Sequence, residues 1–276
     1  MIGTNWLSNL KKFDRERFDS LRHLNSERRK EIAAIYSFNL ELANIAWNVS
    51  EPELGYLKLR WWEDYINDMN DGHSFGENEY FLILSKLLAE GKLHKSNLLK
   101  LIKAREFDCS KKPFDSHEQQ IKYIRDTSQN LLFMGLSCLI EFNDNSLRRN
   151  LSEYFGLSLG LARFVLAAGS LSQRKCYSLF LPTRLDYSAY FEGRINDNII
   201  ERIRSDIDLI FNLFHTGKRE LKSIRLKKKS LSVLNTANNF VPILKEIKNN
   251  PRLIFRKDHK LSFRTKFIGK LKDLVT

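Results

Sequence analysis

The sequence predicts an all-α protein, and three observations support this class. Only 12 glycines and 5 prolines occur among 276 residues, fewer than the frequent turns of a β or α/β chain require. Leucine, lysine, glutamate, isoleucine and arginine are abundant, which favours helices, and the 42% of hydrophobic residues are enough for a sizeable core. Apolar residues recur at helical spacing in one segment after another, without a convincing ladder of strands. We therefore predict one close-packed domain, residues 1–276, of about nine or ten helices.

The predicted helices follow from this spacing and from capping residues at their starts. Asn25 or Ser26 can cap the second helix, because their side-chain oxygens accept hydrogen bonds from free backbone amides. Ser50 and Glu53 form the pattern of a capping box, with Pro52 in the first turn of the third helix. The predicted helices cover roughly residues 13–24, 27–48, 51–71, 80–90, 96–107, 116–141, 146–170, 197–225, 230–248 and 261–275, with an extended run at 176–182.

The net charge of +13 is concentrated in two stretches late in the chain. Residues 218–229 include seven basic residues and one acid, and residues 251–276 include eight and two. Clustered charge of this kind indicates an anionic partner. On a helix over 261–275 the apolar residues share one side, which fits a basic amphipathic helix lying on an anionic membrane, or equally one packed on the domain. Nucleic-acid binding is disfavoured, because neither stretch carries a known motif or interleaved stacking aromatics.

Several other features bear on location. No uncharged apolar run reaches ~18 residues, so no transmembrane helix is expected. The N-terminal sequence lacks the apolar core and the cleavage site of a secretory signal. Cys109, Cys138 and Cys176 are far apart and predict neither a disulfide framework nor a metal site, and the histidines show no paired spacing. We therefore predict a cytoplasmic protein, peripheral to the inner membrane if its basic C-terminal segment binds lipid.

A family resemblance is carried by several motifs in one order. Residues 36–62 read YSFNLELANIAWNVSEPELGYLKLRWW, followed by AREFD at 104–108, residues 123–127, a helix with small residues at 156–169, and YSLFLP at 177–182. Together these motifs resemble the squalene/phytoene synthase family. The resemblance implies an isoprenoid-synthase-like helical bundle around a central cavity. In that family two aspartate-rich motifs hold Mg²⁺, which neutralises the diphosphate leaving group when two prenyl diphosphates are joined head to head.

Both metal-binding motifs are degenerate when this sequence is set against the family pattern. The corresponding positions are Ala43, Asn44 and Trp47 in the first motif and Arg163, Ala167, Ser170 and Leu171 in the second. Mg²⁺ prefers oxygen ligands, and none of these side chains is a carboxylate. We therefore expect no catalytic residue, no metal and no cofactor. The alternative is a prenyl transferase that binds Mg²⁺ through relocated acids such as Asp64 and Asp68, although a solvated helix face explains these two more simply.

The resemblance also implies which residues line the cavity. These are Tyr36, Asn39, Glu41, Arg60, Arg105, Asp108, Tyr123 and Arg163. Glu41 is the only acid close to the first motif. A structural ion pair or cap is the simpler interpretation of Arg105 and Asp108, and core packing that of Trp61 and Trp62.

The motifs at residues 38–39, 41–43 and 50–51 match a subgroup of the family that lacks the full set of aspartates. That subgroup includes a mitochondrial complex I assembly factor. The resemblance therefore implies a non-catalytic complex I assembly factor or lipid-binding protein. Its partners would be a respiratory-complex subunit, an anionic membrane surface, and an isoprenoid or other lipid in the cavity.

Overall fold

A computed structural model of the chain describes residues 5–69, 79–139, 144–222, 233–234 and 240–255. Over these residues all regular secondary structure is helical, which confirms the predicted class. The α-helices are α1 (Trp6–Phe13), α2 (Arg15–Ser20), α3 (Ser26–Ile45), α4 (Pro52–Asp68), α5 (Glu79–Ala89), α6 (Lys95–Ser110), α7 (His117–Ile124), α8 (Asn130–Ser137), α9 (Asn145–Leu151), α10 (Ser158–Gln173), α11 (Arg184–Phe191), α12 (Asp197–Lys222) and α13 (Val241–Asn249). Arg125–Gln129 and Ser152–Leu157 are π-helical, and Pro251–Phe255 is a 3₁₀-helix.

Two of the predicted helix starts are confirmed by the hydrogen bonds that cap them. The side chain of Asn25 accepts from the backbone amide of Arg28 at 2.9 Å, at the start of α3. The hydroxyl of Ser116 accepts from the amide of Gln119 at 3.1 Å, at the start of α7. In both cases the side-chain oxygen satisfies an amide that has no partner within the helix.

The predicted capping box before α4 is wrong. The N-cap residue is Glu51, and its side chain makes no capping hydrogen bond. Because α4 begins at Pro52, Ser50 lies one residue too early to cap it. The proline is in the first turn, as predicted, where its missing N–H leaves no bond unmade.

Other element predictions differ in their boundaries. The helix predicted at 13–24 corresponds to the shorter α2, and α1, which ends where that prediction begins, was not predicted. Helix α11 was not predicted, although Thr183 and Asp186 form a complete capping box before it. The predicted run at 176–182 has no strand and is irregular. The helix predicted at 261–275, with most of the basic C-terminal segment, lies outside the described residues.

The chain divides into two compact units. Unit 1 comprises Met1–Lys111, Gln129–Ser152 and Leu226–Leu234, and unit 2 comprises Lys112–Ser128, Glu153–Arg225 and Asn235–Thr276.

Helix α3 is the centre of unit 1. Nine consecutive residues, from Glu31 to Asn39, are buried, and α1, α4, α5, α6 and α8 pack against the helix. A helix surrounded on all sides cannot be amphipathic, which explains why its apolar residues appear on several faces. The one buried acid of this run, Glu31, accepts hydrogen bonds from Arg28 and Lys92, each at 2.8 Å.

Helix α10 has the corresponding place in unit 2, where it contacts α11, α12 and the 3₁₀-helix. Gly160 lets α10 approach α7 closely, because an added Cβ would meet the side chain of Ile124 at 2.3 Å. The irregular run before α11 is fixed by Gln120, which is fully buried. Its amide group donates to the carbonyl of Ser178 at 2.9 Å and accepts from the backbone amide of Phe180 at 3.2 Å.

Among the residues that the structure describes, one helical stretch is long and apolar enough to cross a membrane by length and composition alone. Residues Asn145–Gln173 include a window of mean hydropathy 1.4, which the sequence reading did not expect. Within that window 67% is buried inside the protein. Core helices of soluble proteins have the same length and composition, so this stretch is weak evidence for a membrane span.

Candidate functional site

The positions of the first family motif lie at the C-terminal end of α3, in unit 1. Ala43 and Asn44 are half-buried in the last turn, and Trp47 follows the helix with 53% of its surface exposed. Their side chains are a methyl group, a carboxamide and an indole. Only the asparagine offers an oxygen, and it carries no charge to attract a divalent cation.

A buried polar network lies one to two turns earlier on α3. The guanidinium of Arg105 donates to the side-chain oxygen of Asn39 at 2.7 Å and to the carboxylate of Asp108 at 2.9 Å. Asn39 is 4% exposed, and the Arg105 side chain is 13% exposed. The network therefore ties α3 to α6, and it contains the ion pair expected for Arg105 and Asp108.

Glu41, on α3, is the acid nearest in sequence to the first motif positions. Within the part of the chain that the structure describes, its carboxylate has neither a hydrogen bond nor an ion pair. Burial raises its pKa above the ordinary value of a glutamate, because the charged form is poorly solvated there. Burial first, and then the charge of Glu41, also raise the pKa of Tyr80. Glu41 is thus a half-buried carboxylate whose charge acts on the buried phenol of Tyr80.

Tyr36 and Arg60 are the remaining candidates in unit 1. Tyr36 is 3% exposed, and the guanidinium of Arg17 lies 5.7 Å from its ring centroid. Arg60 is on the exposed side of α4, where it pairs with Glu63 and with Asp64, each at 3.4 Å. Its side chain is 69% exposed.

The two aspartates considered as relocated ligands are also on the exposed side of α4. The Asp64 side chain is 59% exposed and pairs with Arg60, and Asp68 is exposed near the end of the helix. This is the solvated helix face that the sequence suggested for them. Across the described residues, no three His, Cys, Asp or Glu side chains form a group that could hold a metal ion.

The positions of the second motif lie along α10 in unit 2. Arg163, Ala167 and Leu171 are half-buried and recur every four residues, so they share one side of the helix. Ser170 is exposed, and its hydroxyl donates to the carbonyl oxygen of Ala167 at 2.9 Å. This side of α10 therefore presents one guanidinium among apolar side chains and no carboxylate.

A cluster of three aromatic rings lies next to the second motif. The rings of Phe114, Tyr123 and Phe164 are 5.8 to 6.0 Å apart and meet edge to face. Of the predicted cavity residues, Tyr123 belongs to this cluster. Arg163 precedes Phe164 on α10, where consecutive residues point about 100° apart.

Phe114 and Phe164 were missed by the sequence reading. Phe164 lies within the second motif and offered a signal there, whereas Phe114 is 50 positions earlier and offered none. Trp61 was misjudged, since it is 54% exposed while its neighbour Trp62 is 6% exposed. Consecutive residues of a helix point about 100° apart, so only one of the two can face the core.

The helical fold and the positions of the two motifs define the class of squalene/phytoene synthase-like proteins, and a comparison with family models gives the same class. The model of the squalene/phytoene synthase family matches residues 10–265, so the chain belongs to that family. Two solved structures share the fold. A dehydrosqualene synthase in complex with ligand superposes with a TM-score of 0.79 at 15% identity, over 96% of this chain and 92% of that one. Squalene synthase HpnC from Alicyclobacillus acidocaldarius gives 0.71 at 18% identity, over 89% and 93%.

Among curated proteins the chain is similar to NADH dehydrogenase (ubiquinone) complex I, assembly factor 6. The mouse protein is 22% identical over 203 residues, which cover 72% of this chain and 58% of the mouse protein. The human protein is 27% identical over 133 residues, which cover 47% of this chain and 39% of the human protein. A homologue from Dictyostelium discoideum is 24% identical over 185 residues, covering 65% and 50%. The matched regions therefore span between 39% and 58% of these relatives.

Proposed function

We propose that this protein is an assembly factor for respiratory complex I that does not transfer prenyl groups. The observation that carries the proposal is the chemistry of the motif positions. Where the family pattern expects aspartates, the chain has Ala43 and Asn44 in the last turn of α3 and Trp47 just after it, and Ala167, Ser170 and Leu171 on α10. Ionisation of a prenyl diphosphate needs Mg²⁺ held by carboxylates, because the leaving group carries several negative charges.

The alternative, transfer through relocated acids, has less support. Asp64 and Asp68 are exposed on α4, and Asp64 is paired with Arg60. Glu41 is on a different helix, and it is a single half-buried carboxylate. A shared metal cluster requires several carboxylates within reach of one ion.

The curated relatives supply the second half of the proposal. They are named as assembly factors of complex I, and three of them match this chain at 22% to 27% identity. We infer that this chain assists the same complex, at the membrane in which that complex resides. A protein with this role binds other proteins, so its function depends on its binding surfaces and not on a reactive centre.

Deletion of the gene in its own organism tests this proposal. We expect assembled complex I, measured on native gels together with NADH:quinone activity, to fall several-fold while the isoprenoid content stays unchanged. The wild-type gene should restore the complex, whereas a gene for a dehydrosqualene synthase, as a matched control with the same fold, should not. Loss of isoprenoids with intact complex I would overturn the proposal.

A further inference from the structure

The exposed side of α4 carries an apolar stripe. Leu54, Leu57 and Trp61 follow one another at intervals of three and four residues, so they lie in one row along two turns of the helix. They are 46%, 66% and 54% exposed. The opposite side of α4, including Leu59 and Ile66, is buried in unit 1. Contiguous exposed apolar residues of this size are typical of interaction sites.

The largest member of the stripe is held in place before any partner binds. The indole of Trp61 stacks on the ring of Tyr65, with centroids 5.4 Å apart and an angle of 22°. It also meets Trp62 edge to face at 5.1 Å, and Trp62 packs in turn on Phe38 at 5.3 Å. A fixed aromatic ring loses little conformational entropy on binding, and tryptophan is common among the residues that dominate binding energy.

The surroundings of the stripe have the opposite charge to the whole protein. Residues 51–68 contain five acids and two bases, whereas the chain as a whole has a net charge of +13. The acids are Glu51, Glu53, Glu63, Asp64 and Asp68, and the bases are Lys58 and Arg60. An acidic rim repels the anionic surface of a membrane and attracts a cationic partner.

We propose that the α4 stripe docks a basic amphipathic helix of a partner protein. The apolar side of that helix packs on Leu54, Leu57 and Trp61, and its lysines and arginines pair with the acids at the rim, such as Asp64 and Asp68. This inference concerns how a partner is held, and it stands whether or not that partner belongs to complex I.

A synthetic probe tests the docking without knowledge of the natural partner. The probe is a fluorescein-labelled helical peptide of roughly 18 residues, with leucines on one side and lysines on the other. We expect saturable binding to the full chain by fluorescence anisotropy, weakened by salt. The double variant Leu54→Ser/Leu57→Ser should raise Kd at least ~10-fold. The variant Asp64→Asn/Asp68→Asn should raise Kd and reduce the salt dependence.

The matched control is Leu185→Ser, which removes a leucine that is 81% exposed at the start of α11. It should leave Kd unchanged, and circular dichroism should show every variant to be folded. Absence of peptide binding, equal binding of a peptide with glutamates in place of lysines, or equal weakening by the control would overturn the proposal. So would binding to phosphatidylglycerol vesicles, or self-association in sedimentation velocity, that the double variant Leu54→Ser/Leu57→Ser abolishes.

Discussion

Replacing Gly169 with alanine is expected to destabilise the protein by about 3 kcal/mol. An added Cβ would lie 2.0 Å from the carbonyl oxygen of Ile254 and 2.9 Å from the Cα of Phe255. Both are backbone atoms of the 3₁₀-helix that crosses α10, so they cannot rotate away as the end of a side chain does. The 3₁₀-helix must therefore move off α10, which separates Phe255 from the ring of Tyr190, now 6.0 Å away.

Chemical denaturation followed by circular dichroism measures this loss. The matched control is Gly135→Ala on α8, where the nearest atoms, in Tyr36 and Ile32, are at ordinary contact distances of 3.5 and 3.6 Å. Alanine there should be neutral, or stabilising by up to ~1 kcal/mol, because it restricts the unfolded chain and favours the helix. Equal losses at the two glycines would show that the close approach at Gly169 is not the cause.

Replacing Arg105 with methionine is expected to destabilise the protein by roughly 2 to 3 kcal/mol. Methionine keeps much of the volume but leaves the side chains of Asn39 and Asp108 without their guanidinium donor. Asn39 is 4% exposed, so water replaces the lost donor poorly. Arg105→Lys should give a smaller loss, because an ammonium group keeps the charge but not the fork that reaches both partners.

Lys103→Met is the matched control for this change. Lys103 lies two residues earlier on α6 and also pairs with an acid three residues later, Glu106, at 2.7 Å. Its side chain is 78% exposed, so solvent screens the pair and its loss should cost no more than ~0.5 kcal/mol. The unfolding midpoints of the two variants should differ clearly. Similar midpoints would mean that the Asn39–Arg105–Asp108 network contributes no more than a surface pair.

Much of the fold could be read from local patterns. The long central helix α3 was predicted from apolar residues at helical spacing, and its cap was narrowed to Asn25 or Ser26, of which Asn25 is the N-cap. Errors arose where a choice depended on the exact first residue of a helix, as with Ser50 and Glu53 before α4. The exposure of Trp61 depended on which side of α4 faces the core. Helical spacing shows that buried residues recur every three to four positions. When two adjacent residues are both apolar, as Trp61 and Trp62 are, it does not tell which of the two faces the core.

The candidate site likewise contains contacts that the sequence predicts and contacts that only the packing of distant segments creates. The pair formed by Arg105 and Asp108 is three residues apart on one helix and was visible in the sequence. The contact between Arg105 and Asn39 joins residues 66 positions apart, and no local pattern reports it. The ring cluster of Phe114, Tyr123 and Phe164 likewise depends on the packing of distant segments. The residues that stand at the metal-binding motif positions could be read from the sequence alone, because the order of the motifs along the chain locates those positions.

Assay of the purified chain with farnesyl or geranylgeranyl diphosphate and Mg²⁺ tests the proposed absence of prenyl transfer most directly. We expect no condensation product above the protein-free blank, while a dehydrosqualene synthase assayed in parallel as a positive control turns over. The carboxylate-free motif positions on α3 and α10 are the physical reason. Product formation that disappears in Glu41→Gln, or in Asp64→Asn/Asp68→Asn, would contradict the proposal and establish a transferase with relocated acids.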